Sequence, residues 1–256
     1  MATFVLVPGF WLGAWAWDEV VDELRGGGHE VHAVELGHDG GASAESHVED
    51  VLRVLAEVGP AVLVGHSGGG PVCAAAAERA RERVTRLVLV DTGPLPDGMP
   101  QIEFTDPQAQ AATRADLAAH DGFAPMPERA RLGSTEGIDD ALLEKIRARS
   151  VAEPAAVIVT GIRRGVPDPT LPKTVVACSF TEADARGAIA AGLPAFAEMG
   201  GPEWTFTELP TGHWPMFSAP TALAAVLAGL DRPPLAHRGG TGPGRPARGA
   251  SDRGGV

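Results

Sequence analysis

The fold of this chain is decided by residues 61–79, which read AVLVGHSGGGPVCAAAAER. The first four of these residues are all apolar, which is typical of a buried strand in the middle of a parallel sheet. The small residues from Gly68 onward are typical of a helix packed closely on that sheet. Between the two, Gly65 and Gly69 flank Ser67 in a G-x-S-x-G pattern. This pattern predicts a tight strand-to-helix turn that projects the serine hydroxyl above the edge of the sheet.

Strands and helices alternate on both sides of this turn, which predicts an α/β fold with a mostly parallel sheet and helices on both faces. The alternation stops between about residues 95 and 172, where we expect helices near 106–120 and 138–150 and no strand. Such an insertion is typical of a helical cap over one end of a sheet. Ser46 with Glu49 is expected to form the capping box of the second helix. Strands are predicted at 3–7, 30–36, 61–64, 84–90, 174–180 and 204–209, and helices at 18–25, 46–58, 68–80, 185–199 and from 218 onward.

A serine hydroxyl is a weak nucleophile unless an adjacent base removes its proton, so a histidine is required near Ser67. His213 is the candidate, because it lies in PTGHWP (210–215), directly after the last predicted strand and before the last helix. That position places it at the same edge of the sheet as Ser67. His66, the chain neighbour of Ser67, is expected to point away. Four other histidines fit less well, because they lie near an early strand, in the insertion or in the tail: His29, His32, His120 and His237.

The negative charge that forms on the carbonyl oxygen during acyl transfer needs two backbone amides as donors. Gly68, the residue after the candidate nucleophile, supplies one of them. The second is expected from the exit of the first strand, PGFW (8–11). Pro8 has no N–H, so the amide of Phe10 is the candidate. The sequence therefore predicts an oxyanion hole formed by Phe10 and Gly68.

These motifs occur in an order that resembles a known superfamily. With PGF (8–10), the G-x-S-x-G pattern (65–69) and GH (212–213), residues 1 to about 231 resemble the α/β-hydrolase superfamily. The run FWLGAWAW (10–17) further resembles its small esterase and hydroxynitrile lyase branch. The resemblance implies an α/β-hydrolase fold with a cap and a catalytic triad of serine, histidine and an acid. Pro8 replaces the histidine that usually precedes the first-strand glycine, but the amide donor of the loop stays available.

The resemblance leaves two places for the acid of the triad. One is the end of the strand before the cap, where Asp91 directly follows VTRLVLV (84–90). The other is the segment after the first strand beyond the cap, which contains Glu182 and Asp184. Asp91 is favoured, because it directly ends its strand and its carboxylate would emerge at the edge of the sheet. The later pair remains an alternative.

The resemblance implies a serine hydrolase that cleaves a small or medium apolar ester, lactone or thioester through an acyl-enzyme, with no metal or organic cofactor. Trp11 and Trp214 directly follow the candidate oxyanion donor Phe10 and the candidate base His213 and are expected to bind substrate. Two alternatives stay open. One is a non-hydrolytic lyase, cyclase or dehydratase that uses the same arrangement of residues. The other is a ligand-binding protein with vestigial hydrolysis, since a fold does not fix a function.

The composition predicts one globular domain over residues 1–235. Of 256 residues, 44% are apolar and 21% are charged, and the formal net charge is −12. An acidic surface argues against nucleic-acid and anionic-membrane partners, so the expected partner is a small-molecule substrate. Residues 236–256 are rich in Gly, Arg and Pro and are expected to form a disordered tail.

Two features of the sequence bear on the compartment. Cys73 and Cys178 each lie in an apolar run, which is typical of buried free thiols in a reducing compartment. The first residues, MATFVLVPGFW, have no basic region and a short apolar core, unlike a secretory signal. We therefore expect a cytoplasmic protein.

Overall fold

The computed structural model describes residues 1–230 of the chain. Its strands are β1 (Thr3–Val7), β2 (Glu30–Ala33), β3 (Ala61–His66), β4 (Val84–Val90), β5 (Phe123–Ala124), β6 (Glu153–Pro154), β7 (Lys173–Ala177) and β8 (Trp204–Glu208). Six of them form a sheet in the order β2-β1-β3-β4-β7-β8, in which every neighbouring pair is parallel. The prediction of an α/β fold with a parallel sheet is confirmed.

Helices cover both faces of this sheet because both faces are apolar. The helices are α1 (Asp18–Gly26), α2 (Ala44–Val58), α3 (Gly69–Arg79), α4 (Pro107–Ala119), α5 (Asp140–Arg149), α6 (Ala155–Val159), α7 (Glu182–Ala190), α8 (Pro194–Ala197), α9 (Pro215–Ser218) and α10 (Pro220–Leu230). Successive side chains of a strand point to opposite faces, so Phe4 and Leu6 of β1 face one side while Val5 and Val7 face the other. The Phe4 side packs against α1, α9 and α10, and the Val5 side packs against α2 and α3.

Between β4 and β7 the chain leaves the sheet and forms the predicted helical insertion. The helices α4 and α5 lie where the sequence predicts them. However, β5 and β6 form a two-residue antiparallel ribbon that pairs Phe123 with Pro154 and Ala124 with Glu153. The expectation that this stretch contains no strand was wrong, because strands of two residues leave no alternating pattern to detect. We call these four paired residues the cap ribbon.

Two helices differ from the prediction for local reasons. The hydroxyl of Ser43 caps α2 by accepting from the amide of Ser46 (3.1 Å), and the hydroxyl of Ser46 accepts from the amide of Ser43 (2.9 Å). The expected pair of Ser46 with Glu49 was wrong, because Ser43 has the same spacing one turn earlier. The predicted helix at 185–199 is divided into α7, α8 and a short 3-10 turn, because Gly192 has a φ of +69° and Pro194 follows it.

Both cysteines are free and buried, as the sequence predicts. Burial raises the pKa of the Cys73 thiol, and burial together with the negative charge of Asp91 raises the pKa of Cys178 to about 12. Within residues 1–230, no helix is both long and apolar enough to cross a membrane. The tail predicted at 236–256 lies outside the described residues.

Candidate active site

Ser67 lies on the predicted turn between β3 and α3 and has a left-handed φ of 48°. Glycine is required on both sides of it because other atoms approach closely. A Cβ atom on Gly65 would lie 2.7 Å from the Sγ of Cys73, and one on Gly69 would lie 2.5 Å from the carbonyl oxygen of Pro8. The glycines therefore allow the strand and the helix to meet in a turn that places Ser67 at the edge of the sheet.

His213 lies on the loop after β8 and contacts two of the candidate residues. Its Nε2 is 2.9 Å from the Oγ of Ser67, and its Nδ1 is 2.6 Å from the Oδ2 of Asp91. The three residues follow β3, β8 and β4, and the carboxyl ends of parallel strands meet at one edge of a sheet. The parallel topology thus brings together residues that lie far apart in the sequence.

Asp91 directly follows β4, and its side chain is only 1% exposed. The amides of Cys178 (2.9 Å) and Ser179 (2.8 Å) donate to its Oδ1, and the Ser179 hydroxyl donates to its Oδ2 (2.6 Å). Burial alone raises the pKa of Asp91, but the hydrogen bonds from His213 and Ser179 and the charge of His213 outweigh burial and lower it. An ionised Asp91 keeps the proton of His213 on Nδ1 and leaves Nε2 free to accept the proton of Ser67.

The alternative acids, Glu182 and Asp184, lie at the exposed start of α7. The Oδ2 of Asp184 accepts from the amide of Thr181 (2.9 Å) in a capping box, and the Oε1 of Glu182 accepts from the Nε of Arg186 (2.7 Å). Thr181 and Asp184 have the spacing of a helix-capping pair, and this signal was present in the sequence. Of the acids left open by the sequence, Asp91 is the one that contacts His213 in the described structure.

His66 contacts the candidate base through the protein backbone. Its Nε2 donates to the carbonyl oxygen of His213 (2.7 Å), and the two rings lie 4.9 Å apart. Burial, and then the charge of His213, lower the pKa of His66 to about 3, so the ring is neutral near pH 7. Sequence reasoning missed this contact, because nothing near His66 in the sequence points to the carbonyl of His213, 147 positions away.

The insertion also holds the loop that carries His213. The amide of His213 donates to the carbonyl oxygen of Ser134 (2.8 Å). A Cβ atom on Gly212 would lie 2.6 Å from the amide nitrogen of Glu136, so glycine is required at position 212. The backbone N–H and C=O of His213 are therefore both hydrogen bonded, one to the insertion and the other to His66.

The loop after β1 lies directly against the turn that carries Ser67. A Cβ atom on Gly9 would lie 2.8 Å from the Cβ of Ser67, and one on Gly68 would lie 2.7 Å from the Cδ1 of Phe10. Within residues 1–230, the amides of Phe10 and Gly68 donate to no protein acceptor. Both amides are therefore available to a group bound beside Ser67.

Ser67 opens into a cavity of about 320 Å³ whose lining includes the apolar residues Phe10, Leu95, Phe104 and Leu132. A second cavity of about 470 Å³ adjoins it beside α4. The two cavities share Gln101 as a lining residue. Its side chain is largely buried and has no hydrogen-bond partner within residues 1–230.

The two tryptophans predicted to bind substrate lie in different environments. Trp11 lines both cavities. The expectation that Trp214 faces the cleft was wrong, because its side chain is 3% exposed, belongs to the core and donates from Nε1 to the carbonyl of Leu132 (3.4 Å). Since Trp214 directly follows His213, its ring turns away from the cleft and stacks on Phe217, with the ring centroids 6.2 Å apart.

A serine on a strand-to-helix turn, hydrogen bonded to a histidine that also contacts an aspartate at the same edge of a parallel sheet, is the arrangement that defines an α/β hydrolase. The sequence model of the Alpha/beta hydrolase family matches residues 4–226. The chain therefore belongs to this family, as its resemblance predicts.

Several curated relatives are named esterases. The carbendazim hydrolyzing esterase of Nocardioides sp. (strain SG-4G) is 36% identical over 101 residues, which is 36% of this chain and 42% of that protein. The polyneuridine aldehyde esterase of Rauvolfia serpentina is 36% identical over 98 residues, which is 34% of this chain and 37% of that protein. The chain thus spans about two fifths of the length of the curated relatives it matches.

Solved structures share the fold over most of the chain. An extracellular α/β-hydrolase from a Paenibacillus species, described as structurally and functionally homologous to tobacco salicylic acid binding protein 2, has a TM-score of 0.76 and 20% identity. The match covers 90% of this chain and 98% of that one. Polyneuridine aldehyde esterase has a TM-score of 0.62 and 19% identity, covering 91% of this chain and 100% of that one. At these identities the likeness shows the fold alone.

Proposed function

We propose that this protein is a serine esterase that cleaves a small or medium apolar ester, lactone or thioester through an acyl-enzyme. The observation that carries the proposal is the pair of hydrogen bonds that join Ser67 to His213 and His213 to Asp91. The relatives that are named esterases support the same class of reaction.

In the acylation step, the Nε2 of His213 takes the proton of Ser67 as its Oγ attacks the carbonyl carbon of the substrate. The carbonyl oxygen becomes an oxyanion and accepts hydrogen bonds from the amides of Phe10 and Gly68. Asp91, whose low pKa keeps it ionised, stabilises the positive charge on His213. His213 then protonates the leaving alcohol or thiol as the bond to the carbonyl carbon breaks.

Deacylation repeats these roles with water as the nucleophile. His213 removes a proton from the water, whose oxygen attacks the carbonyl carbon of the acyl-enzyme. The tetrahedral intermediate collapses, and the proton on His213 returns to the Oγ of Ser67. The carboxylic acid is released, and the enzyme regains its starting state without a cofactor in either step.

The apolar part of the lining at Ser67 supports an apolar substrate, and Gln101 offers it a polar contact. Phe10, Phe104 and Leu132 line the cavity at Ser67, and its volume of about 320 Å³ suits a small or medium group. The unpaired amide of Gln101 lies where the two cavities adjoin and is available to a polar atom of the part of the substrate that extends beyond the ester.

Covalent labelling tests the proposal. A fluorophosphonate is expected to label the wild-type protein once per chain and to leave Ser67→Ala unlabelled, and this variant should hydrolyse an aryl acetate about 10⁴-fold more slowly or worse. The hydrolysis rate of Asp91→Asn should fall by a similar factor, because His213 loses the acceptor that fixes its tautomer. The matched control Asp184→Asn should keep its rate. A wild-type protein that is never labelled would refute the proposal.

Turnover in ¹⁸O-labelled water separates hydrolysis from the non-hydrolytic alternatives. Hydrolysis puts the labelled oxygen into the acid product, because water attacks the acyl-enzyme. Turnover without incorporation would instead support a lyase, cyclase or dehydratase. Tight ligand binding that survives Ser67→Ala, with no product formed by the wild type, would support a ligand-binding protein.

A further inference from the structure

All three polar groups of Trp11 are bonded to the insertion between β4 and β7. Its amide donates to the Oε1 of Glu153 (2.6 Å), and its indole Nε1 donates to the carbonyl of Ala124 (3.1 Å). Its own carbonyl accepts from the amide of Val151 (3.0 Å). Glu153 and Ala124 are paired across the cap ribbon. The residue that follows Phe10 is thus fixed by the cap and not by the sheet.

Trp11 needs such support because its backbone is strained. Its φ is 65°, a left-handed value that a bulky L-residue rarely adopts. A residue in this region is strained and persists only where its surroundings determine its conformation. The three hydrogen bonds from the insertion provide that restraint.

Two hydrogen bonds, one within the loop and one to the insertion, restrain the direction of the Phe10 amide. The carbonyl of Gly9 accepts from the amide of Leu12 (3.3 Å). A peptide group is planar and trans, so the N–H of Phe10 points away from Leu12. The peptide on the other side of Phe10 is held by the bond from Trp11 to Glu153. Both peptide planes next to Phe10 are therefore restrained.

Packing alone does not account for a glutamate at position 153. The side chain is 1% exposed, and its Oε1 is shared by the amide of Trp11 and by the Nε2 of His38 at 3.4 Å. Its Oε2 has no hydrogen-bond partner within residues 1–230. An unpaired buried polar atom is unfavourable, so the buried carboxylate of Glu153 is not explained by filling space. What the glutamate supplies is an acceptor for the N–H of Trp11 and a carboxylate oxygen beside the Nε2 of His38.

We propose that Glu153 is a positioning residue that, with the cap ribbon, holds residues 9–12 in the geometry in which the Phe10 amide stabilises the oxyanion. We call residues 9–12 the oxyanion loop. The inference rests on the proposed function, because it takes Phe10 as one of the two oxyanion donors. A donor that is already in place lowers the barrier, because nothing has to rearrange as the charge develops. The cap thus acts on the chemical step as well as on access to the site.

A pair of variants at position 153 tests the role of the acceptor. Glu153→Ala is expected to lower kcat for an aryl acetate by about 10- to 100-fold, approaching the loss of one oxyanion donor, with KM changed less than about threefold. Glu153→Gln keeps a carbonyl oxygen for the Trp11 amide and should retain kcat within about fivefold of the wild type. A kcat within twofold in Glu153→Ala, or equal losses in both variants, would overturn the inference.

A second pair tests the loop without disturbing the buried carboxylate. Val151 is 37% exposed, and the backbone of Ser150 (φ −69°, ψ 152°) is compatible with a following proline. Val151→Pro removes the N–H that bonds to the carbonyl of Trp11, whereas Val151→Ala keeps it. We expect kcat of Val151→Pro to be at least about threefold below that of Val151→Ala, with an unchanged KM. Equal kcat values would contradict the proposal even if Glu153→Ala does not fold.

Fluorophosphonate labelling distinguishes failure of this inference from failure of the proposed function. If both hold, the wild type and Glu153→Ala are both labelled once per chain, and the variant reacts more slowly. If the wild type is labelled and Glu153→Ala reacts equally fast, the positioning role of Glu153 is refuted while the nucleophile stands. If the wild type is not labelled, the proposed function fails, and the inference fails with it.

Discussion

Two residues of the candidate triad have a backbone conformation that costs free energy. Ser67 and Asp91 have φ values of 48° and 52°, in the left-handed region that L-residues rarely adopt. Sheet-edge hydrogen bonds hold both residues, since the amide of Ser67 donates to the carbonyl of Val90 (3.2 Å) and that of Asp91 to the carbonyl of Val176 (2.8 Å). The strain is therefore maintained by the sheet, and it directs both side chains toward His213.

His66 is expected to make the protein less stable at low pH, because its pKa is lower in the folded chain than in the unfolded one. Burial and the charge of His213 lower its pKa from 6.5 to about 3, so between these pH values the unfolded chain binds a proton that the folded chain does not. Stability must therefore fall as the pH falls through this window, by up to about 1.4 kcal/mol per pH unit. His66→Gln removes this group and should unfold with a weaker dependence on pH.

Urea unfolding at pH 7 and pH 5 measures the effect of His66. The difference in unfolding free energy between the wild type and His66→Gln should narrow by about 2 kcal/mol from pH 7 to pH 5. His29→Gln is a control, since His29 directly precedes β2 and so lies at the opposite edge of the parallel sheet from the candidate site. Parallel curves for the wild type and His66→Gln would show that His66 is not held neutral by the fold.

At the scale of single elements, the sequence predicts those helices and strands that a local pattern of apolar residues marks. The parallel sheet followed from short apolar strands that alternate with helices. Ser67 and Asp91 were predicted as site residues because each directly follows such a strand, and His213 because it lies on the loop after the last one. The cap ribbon was missed because its two-residue strands pair only through the tertiary fold. Trp214 was misplaced because nothing in a loop sequence tells whether the residue next to His213 turns toward the cleft or toward the core.

The positioning contacts of the site were beyond sequence reasoning for the same reason. The bond from His66 to His213 joins residues 147 positions apart, and the bond from Trp11 to Glu153 joins residues 142 apart. Neither donor nor acceptor shows a pattern that points to its partner. Such contacts become visible only when the cap and the sheet are placed together.

A buried arginine joins the two segments that connect the cap to the sheet. The guanidinium of Arg164 bonds to the carbonyl of Leu95 (2.8 Å), and its backbone amide donates to the Oδ1 of Asp97 (2.8 Å). The guanidinium also forms ion pairs with Glu78 and Glu198. Burial alone would lower the pKa of Arg164, but these two carboxylates outweigh burial and raise it. Both connections are thus fixed at one point.

Arg164→Met should therefore destabilise the protein strongly. The change leaves Glu78 buried without its cationic partner, and breaking a buried ion pair from one side costs about 3–5 kcal/mol. Arg163→Met, at the neighbouring exposed position, is the matched control and should cost less than about 0.5 kcal/mol. Urea unfolding compares the two. A similar, small decrease in the free energy of unfolding in both variants would mean that the ion pairs of Arg164 are not needed to hold the cap connections.

At the scale of the whole molecule, the sheet and the cap contribute different parts of the candidate site. The sheet provides the reacting side chains at its carboxyl edge, because its strands are all parallel. The insertion provides one wall of each cavity, with Leu132 in the cavity at Ser67 and α4 along the adjoining cavity. A change in α4 should therefore alter which substrates are used while leaving the chemistry of the triad intact.

Ala112 and Ala111 on α4 allow this division to be tested. Ala112 lines the adjoining cavity, whereas Ala111 is exposed and does not. Ala112→Phe should fill part of that cavity and lower kcat/KM for a long or bulky ester by about tenfold or more, the range that steric exclusion from an apolar pocket gives. The same variant should hydrolyse an aryl acetate within about twofold of the wild type, because that substrate fits beside Ser67. Ala111→Phe adds the same ring to the outer face and should change neither rate. Equal decreases in kcat/KM for the short and the bulky ester would mean that α4 affects the triad itself. The adjoining cavity would then have no part in selecting the substrate.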